Sequence, residues 1–453
     1  MSVGLQRLRE EPDAVRKGAL DKREDPGLID AALAADARRR ELQGEIDGLR
    51  AERNTASKSI GESIKVGARP DGPEVADLRA RSTAIGERLA AIEAELAAKE
   101  AEVDDLLLRI PNPPEADIPI GGEEANVTIR TWGEQLPRVQ PLHGEVGADA
   151  PAGGETWERK PHWEVAENLE ILDLVRGAKI AGSGFPVYKG WGAALERALI
   201  SWFLDVHTRE NGFTEIWPPI VVNQASARGT GQIPDKEDQM YVVTRDELYL
   251  VPTAEVPVTN LHRDEILEAA ELPIHYVAYT PCFRREAGAA GKDTRGILRV
   301  HQFDKVEMVL FEKPEASQAA LEWMTARAEE LLQKLGLAYR VVLMSTGEMG
   351  FTQRRKYDLE VWAPAVERWL EVSSCSNFGD FQARRMAIRY RPEPGAKAEL
   401  VHTLNGSGMA LARTVAAIIE TYQRPDGNID VPEVLQTYLR APMIERPPRR
   451  AAG

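Results

Sequence analysis

The sequence predicts an α+β protein: an N-terminal antiparallel helical hairpin arm, then a larger domain built on an antiparallel β-sheet flanked by helices. Three observations carry this. An a/d heptad seam runs through the first hundred residues. Strand formers lead into and out of residues 283–307, which suits a long β-hairpin. From Gly190 to the end, strand-like and helix-like segments alternate irregularly, and hairpin pairing mixed with helices argues an antiparallel sheet with helices around it. The chain has 453 residues, too many for one compact core. The expected division is 1–110 for the arm, 111–130 for a linker, 131–445 for the sheet domain and 446–453 for a disordered tail.

Composition narrows the function classes. There are 57 Lys plus Arg against 72 Asp plus Glu, a net charge of -15, so any nucleic-acid contact must use local basic patches. The two cysteines, Cys282 and Cys375, make no disulfide framework and no CxxC, which fits a reducing cytoplasm. No apolar run approaches membrane-spanning length, and the first residues lack the apolar core of a signal peptide. A cytoplasmic protein without a membrane partner is the expectation.

The arm comes first in the chain. Leu42, Ile46, Leu49, Arg53, Ala56 and Ile60 follow steps of four and three. After a break at 67–73, rich in Gly and Pro, the seam resumes with Val75, Leu78, Ser82, Ile85, Leu89, Ile92, Leu96, Lys99, Val103 and Leu106. Two such helices joined by a short turn make an antiparallel hairpin. A helix of about 32 residues would span roughly 48 Å. Ile110-Pro111-Asn112-Pro113-Pro114 ends it, because proline cannot continue a helix. Arg50, Arg53, Lys58, Lys65 and Arg69 gather toward the turn, with only Glu52 and Glu62 opposing them. Such a basic tip could grip a phosphate backbone. A solvated face, scaffolding or dimerisation would leave the same pattern.

Residues 115–185 form a lead-in with loop signals at Gly121-Gly122 and 148–154. A helix follows from Gly190, with Leu195, Leu199, Trp202 and Val206 on one face, and stops at Asn211-Gly212. Phe213 to Pro219 then supply a strand with a rigid proline end, a packing or dimer edge without chemistry of its own.

The hairpin at 283–307 is the most informative stretch. Phe283-Arg284-Arg285-Glu286 precedes a loop carrying Gly288, Gly291 and Gly296, and a strand is expected over Ile297 to Leu310. Alternation puts Arg284 with Glu286 on one face, and Arg299, His301, Phe303, Lys305 and Glu307 on one face. So many charges beside an aromatic ring would be costly as plain core. They suit a site for phosphates, an aromatic base and an amine, since arginine donates two parallel bonds to an oxyanion.

Three further segments carry candidate chemistry. Asn405-Gly406-Ser407-Gly408 is expected to turn from a strand over Leu400–Leu404 into a helix from Met409 to about Tyr422, with its glycines open to a ligand. Arg413 falls in that helix's first turn, where a cation opposes the macrodipole and calls for an anionic partner. Thr253-Ala254-Glu255 offers a hydroxyl, a small residue and a carboxylate, or simply a helix N-cap. Glu371-Val372-Ser373-Ser374 offers oxygens suited to a hard cation such as magnesium, though strand alternation does not put Glu371 and Ser374 on one face.

Together these motifs resemble the class II aminoacyl-tRNA synthetases, and bacterial-type seryl-tRNA synthetases in particular. FRxE at 283–286 with RxxxF at 299–303 is similar to the class's second motif, Gly212–Pro219 to the first, and Asn405–Arg413 to the third. The arm ending in IPNPP, PTAE from 252, GKDTRG from 291 and SSCSN from 373 are close to the family's wording, so the likeness spans nearly the whole chain. The resemblance implies an enzyme that activates L-serine with ATP and Mg2+, then esterifies the 3′ end of tRNA(Ser); tRNA(Sec) is left open as a second acceptor. It implies ATP contacts from Arg284, Arg285, Glu286, Arg299, Val300, Phe303, the stretch Glu371, Val372, Ser373 and Ser374, and Arg413. Of these, Arg284, Glu286, Arg299 and Arg413 would be catalytic, and Glu371 with Ser374 would bind the metal. Thr253, Ala254, Glu255, Arg284, Glu307, Asn405 and Ser407 would hold serine. Arg50, Arg53, Lys58, Lys65 and Arg69 would meet tRNA, and the protein would be a cytoplasmic homodimer.

Two positions depart from the pattern: Gly184 replaces an arginine common before the equivalent of Phe185, and Ala412 stands where the class often has an acidic residue. The main alternative is a catalytically silent, synthetase-like protein that binds tRNA for regulation. Intact Arg284, Glu286, Glu307 and Arg413 oppose it. A threonine-specific enzyme of the class would need a Cys/His zinc cluster, which the two cysteines do not supply.

Overall fold

The computed structural model describes residues 3–70, 72–134, 157–288 and 295–446. The chain forms two compact units, Met1–Pro111 and Asn112–Gly453.

The first unit contains α1 (Leu5–Glu10), α2 (Pro12–Asp21), α3 (Gly27–Lys65) and α4 (Pro73–Arg109). With 39 and 37 residues, α3 and α4 run about 58 and 55 Å. The seam is what joins them: Leu42, Ile46 and Leu49 interlock with Ile85, Leu89 and Ile92. Arg38–Glu95 and Arg50–Glu93 pairs, both 2.9 Å, tie the outer edges together. At the base, Leu8, Val15 and Ala19 pack on Ile29, Ala32, Val103 and Leu107. There the fully buried Asp36 receives two bonds of 2.7 Å from Arg9, with Arg39 and Arg40 also in reach. Those guanidinium bonds, Arg9's foremost, hold its carboxyl below the usual range.

The second unit is built on one eight-stranded sheet. In chain order its main elements are β1 (Val127–Trp132), α5 (His162–Asn168), α6 (Trp191–Asp205), β2 (Thr214–Ile216), β3 (Ile274–Phe283), β4 (Gln302–Glu312), α7 (Ser317–Lys334), β5 (Tyr339–Leu343), β6 (Arg355–Ala363), β7 (Arg368–Gly379), β8 (His402–Ala410) and α8 (Leu411–Tyr422). The strand order is β1-β5-β6-β7-β8-β4-β3-β2. Every pair is antiparallel except β2 with β3 at one edge. Residues 127–132 are therefore an edge strand of this sheet and not the expected linker. The segment before them is fixed too, since the Asn112 amide donates to the carbonyls of Thr352 and Phe378.

Alternation decides what each sheet face does. On β4, Val306, Met308 and Leu310 join the main core with Leu199 of α6, Met324 of α7 and Ile418 of α8. The opposite face of β4 carries Phe303, Lys305 and Glu307 toward an open cleft. Among the described residues no helix is long and apolar enough to cross a membrane.

Three expectations need correction. The last strand pair of the hairpin is Phe283↔Gln302, so the described residues 284–288 and 295–301 lie outside the strands and the return strand starts at Gln302, not Ile297. Glu286 takes a left-handed φ of 50°, so strand alternation does not govern its direction. Asn405-Gly406-Ser407-Gly408 is not a turn but lies inside β8, and the helix starts at Leu411. Its glycines serve packing: a Cβ at Gly406 would sit 2.8 Å from the Cys375 sulfur, and one at Gly408 would sit 2.5 Å from the His207 ring. Gly184 also finds its reason. Its φ is 81°, a Cβ there would lie 2.3 Å from His301, and its carbonyl accepts from the His301 amide. The expected loop at 148–154, Gly291 and the tail beyond Arg446 lie outside the described residues.

Candidate active site

A cleft of about 500 Å³ opens over β4, β7 and β8. Its deep end is polar and enclosed. Lys305 and Glu307 are neighbours on one strand face, and their side chains pair at 2.5 Å with almost no exposure. Lys305 also donates to Thr253 Oγ1 at 2.7 Å. Register places Ser407 opposite Glu307, and the serine hydroxyl lies 3.4 Å from that carboxylate. Glu255 begins the short helix Glu255–Thr259 beside this group, with its amide capped by Thr253 Oγ1. Gln382 donates to Glu255 at 2.6 Å. Burial, reinforced by the charge on Glu307, pushes the Glu255 carboxyl up to about 7. Asn405 and Ser407 line the same end, and the Asn405 amide nitrogen has no hydrogen-bond partner among the described residues.

The outer end is basic and more exposed. Arg284, Arg299 and Arg413 all line it. The Arg284 guanidinium lies 5.2 Å from the Phe303 ring centroid, in cation–π range. Arg299 donates to Glu286 at 2.6 Å, which occupies one carboxylate oxygen and leaves the other available. Arg413 donates to the carbonyls of Leu298 and Glu371. Val300, Val372, Ser373 and Ser374 complete this wall.

Glu371 and Ser374 do share a face, for a reason periodicity could not supply. Leu359 pairs with Ser373 while Glu360 pairs with Glu371, so Val372 is an extra, bulged residue that resets the phase of β7. Glu371 now lies opposite Glu360 and Ser374 opposite Asp358, two residues apart on β6. Burial works to raise the Glu371 carboxyl, but Lys356, Arg413, Arg284 and Lys305 outweigh it and hold it low. Burial instead raises Asp358. The result is an ionised Glu371 oxygen pair beside a hydroxyl, hard donors at the cleft edge.

Two expected contacts point elsewhere. Arg285 donates to the Asp238 carbonyl and does not line the cleft. Ala254 is fully buried in a side cluster with Val258 and Phe311. Arg50, expected at the arm tip, is paired with Glu93, while Arg53, Lys58, Lys65 and Arg69 are exposed and have no ion pair among the described residues. Sequence reasoning put Lys305 on the site's face by its two-residue spacing from Glu307 but gave it no role. It missed Gln382, for which no local pattern exists.

Residues 241–422 match the tRNA synthetase class II core domain (G, H, P, S and T), and residues 4–114 match the seryl-tRNA synthetase N-terminal domain. The serine–tRNA ligase of Thermomicrobium roseum is 50% identical over 438 residues, 96% of this chain and 93% of its own. That of Thermosynechococcus vestitus is 47% identical over 443 residues, 98% and 99% of the two chains. The crystal structure of seryl-tRNA synthetase from Pyrococcus horikoshii complexed with ATP superposes with a TM-score of 0.89 at 36% identity, covering 98% of this chain and all of that one. A prolyl-tRNA synthetase from Giardia lamblia shares the fold more distantly, at 14% identity and TM-score 0.52 over 61% of this chain and 57% of that one. Two domain matches in order, near-half identity over almost the full length and a matching fold establish that this chain belongs to the seryl-tRNA synthetase family.

Proposed function

We propose that the deep end of the cleft holds serine and the outer end holds ATP, so that the serine carboxylate attacks the α-phosphorus and pyrophosphate leaves. The seryl group then passes from the adenylate to the 3′-hydroxyl of the terminal adenosine of tRNA(Ser), and AMP leaves. The observation that carries this reading is the division of one cleft into an enclosed acid and hydroxyl pocket and an open arginine-lined mouth. Glu307 and Glu255 take the α-ammonium, and Ser407, Asn405 and Thr253 meet the serine hydroxyl. Arg284 holds the α-phosphate, Arg299 the terminal phosphates, and Glu286 the adenine amine, with the ring between Phe303 and Arg413.

Magnesium accompanies ATP in this reading. Glu371 and Ser374 would hold it, with phosphates completing a shell that needs few protein ligands, and it would neutralise phosphate charge. No covalent enzyme nucleophile is needed, because positioning and charge stabilisation suffice. Serine-dependent exchange of pyrophosphate into ATP tests the assignment. Exchange should be driven by serine, and faster exchange with threonine or proline would overturn it. Such exchange would also exclude a silent tRNA-binding role, which none of the relatives' names supports.

The pH dependence follows from Glu255. With its carboxyl near 7 in the empty pocket, part of the population is protonated at neutral pH. An incoming ammonium favours the ionised form, so serine binding releases a proton and tightens as pH rises through 7. The KM for serine should fall between pH 6 and 8, by at most about tenfold per unit. Glu255→Gln should flatten that slope, and an unchanged slope in the variant would assign the titration to another group.

A homodimer, as the family resemblance implies, would use the β2 edge. Trp217, the residue after that strand, is 79% exposed, and Ile220 is exposed near it in sequence. The cytoplasm is the proposed compartment.

A further inference from the structure

His162 opens α5 with no solvent exposure, and its ring bridges two distant parts of the chain. Nδ1 lies 2.9 Å from Glu420 Oε1 on α8, and the Ile297 amide donates to Nε2 at 3.3 Å. An amide N–H only donates, so Nε2 is the accepting nitrogen and Nδ1 carries the proton. Glu420 enforces that tautomer. Its Oε1 also accepts from the His162 amide at 3.0 Å, and its Oε2 accepts from the amides of Ala365 and Val366. Gly296 presses directly on the ring: its φ is 69°, and a Cβ there would lie 2.2 Å from Nε2.

The backbone held this way is the run from Ile297 to Val300. It lies outside the sheet ladder, which starts at Gln302, yet all four residues line the cleft. Bonds at its middle and far end hold it. Arg413 Nε donates to the Leu298 carbonyl at 3.0 Å, the His301 amide donates to the Gly184 carbonyl at 2.8 Å, and the His301 carbonyl accepts from the Arg284 amide at 2.9 Å. His162 supplies the anchor at the start of the run, drawn from the buried core.

We infer that His162 is a positioning residue for nucleotide binding: its Nε2 sets where the Ile297–Val300 backbone lies and thereby aims Arg299. This rests on the reading of Arg299 as a phosphate contact. His162 itself touches no substrate. A role confined to packing would cost stability without discriminating between ATP and serine, whereas an aiming role falls on ATP alone.

Two substitutions separate the ring nitrogens. His162→Asn keeps a donor where Nδ1 stands and removes the acceptor for Ile297. His162→Gln places an oxygen where Nε2 stands. In serine-dependent pyrophosphate exchange, H162N should raise the KM for ATP about tenfold while the KM for serine stays within about twofold. Amide exchange in a peptide covering 295–300 should quicken. H162Q should return the KM for ATP to within about threefold of the parent. An unchanged KM for ATP in H162N overturns the inference, as does a joint rise of both KM values with a lowered melting temperature. If H162N folds poorly, Gly296→Ala, which drives a Cβ into the ring, tests the same coupling, and an unchanged KM for ATP there overturns it. Arg299→Ala is run alongside. If it leaves the KM for ATP unchanged, the nucleotide reading itself fails; if it raises that KM while H162N does not, only the role of His162 fails.

Discussion

Replacing Arg284 with alanine should lower kcat for serine-dependent pyrophosphate exchange by about 10²–10³, the loss typical of removing one donor aimed at developing charge. The side chain follows the last strand residue, Phe283, and is exposed in the mouth of the cleft, beside Phe303. Among the described residues this side chain's one hydrogen bond is a 3.4 Å contact to the Pro252 carbonyl. Truncation therefore leaves little behind unsatisfied, and the melting temperature should stay near the parent's. As charge builds on the α-phosphate oxygens, a guanidinium can follow with two parallel bonds, which an ammonium cannot. Arg284→Lys should therefore recover less than about tenfold of the lost rate. A variant with parental kcat and only a weaker KM for ATP would show that Arg284 binds ground and transition states alike, and its proposed role would be lost.

What the sequence disclosed and what it hid have a common physical origin. The arm was legible because its signal is local and repetitive: Leu42, Ile46 and Leu49 face Ile85, Leu89 and Ile92 as heptad spacing requires. The pairing of Lys305 with Glu307 was equally open to alternation, since both lie inside one regular strand. Legibility failed where the backbone departs from regularity. The bulge at Val372 reverses the phase between Glu371 and Ser374, and no residue type announces it. The positive φ at Glu286 sends a residue off the strand pattern three positions after Phe283. Gly406 and Gly408 misled in the opposite way. A GxG pair fits a turn, yet here it lets Cys375 and His207 approach a strand in the core. That demand comes from residues about thirty and two hundred positions away, beyond any local window. His162 is hidden for the same reason, because its partners Ile297 and Glu420 are distant in sequence.

Reversing the charges of Arg53, Lys58, Lys65 and Arg69 to glutamate should lower kcat/KM for tRNA aminoacylation by about a hundredfold or more, while serine-dependent pyrophosphate exchange stays near parental. The division follows from the architecture. These four side chains lie in the first compact unit, whereas the cleft is built wholly from the second. They are exposed and have no ion pair among the described residues, so their reversal breaks no internal salt bridge. Arg50 is a poorer probe, because it already pairs with Glu93 and its loss would disturb the hairpin as well. If the four residues neutralise phosphates, each lost contact also removes released counterions. The slope of log affinity against log salt should then shrink by roughly one for each contact that the parent makes. That readout separates binding from folding, since a distorted arm would weaken binding without a graded change in slope across single substitutions. Equal loss of exchange and aminoacylation, or a salt slope that does not move, would detach the basic tip from tRNA and return the hairpin to a scaffolding role.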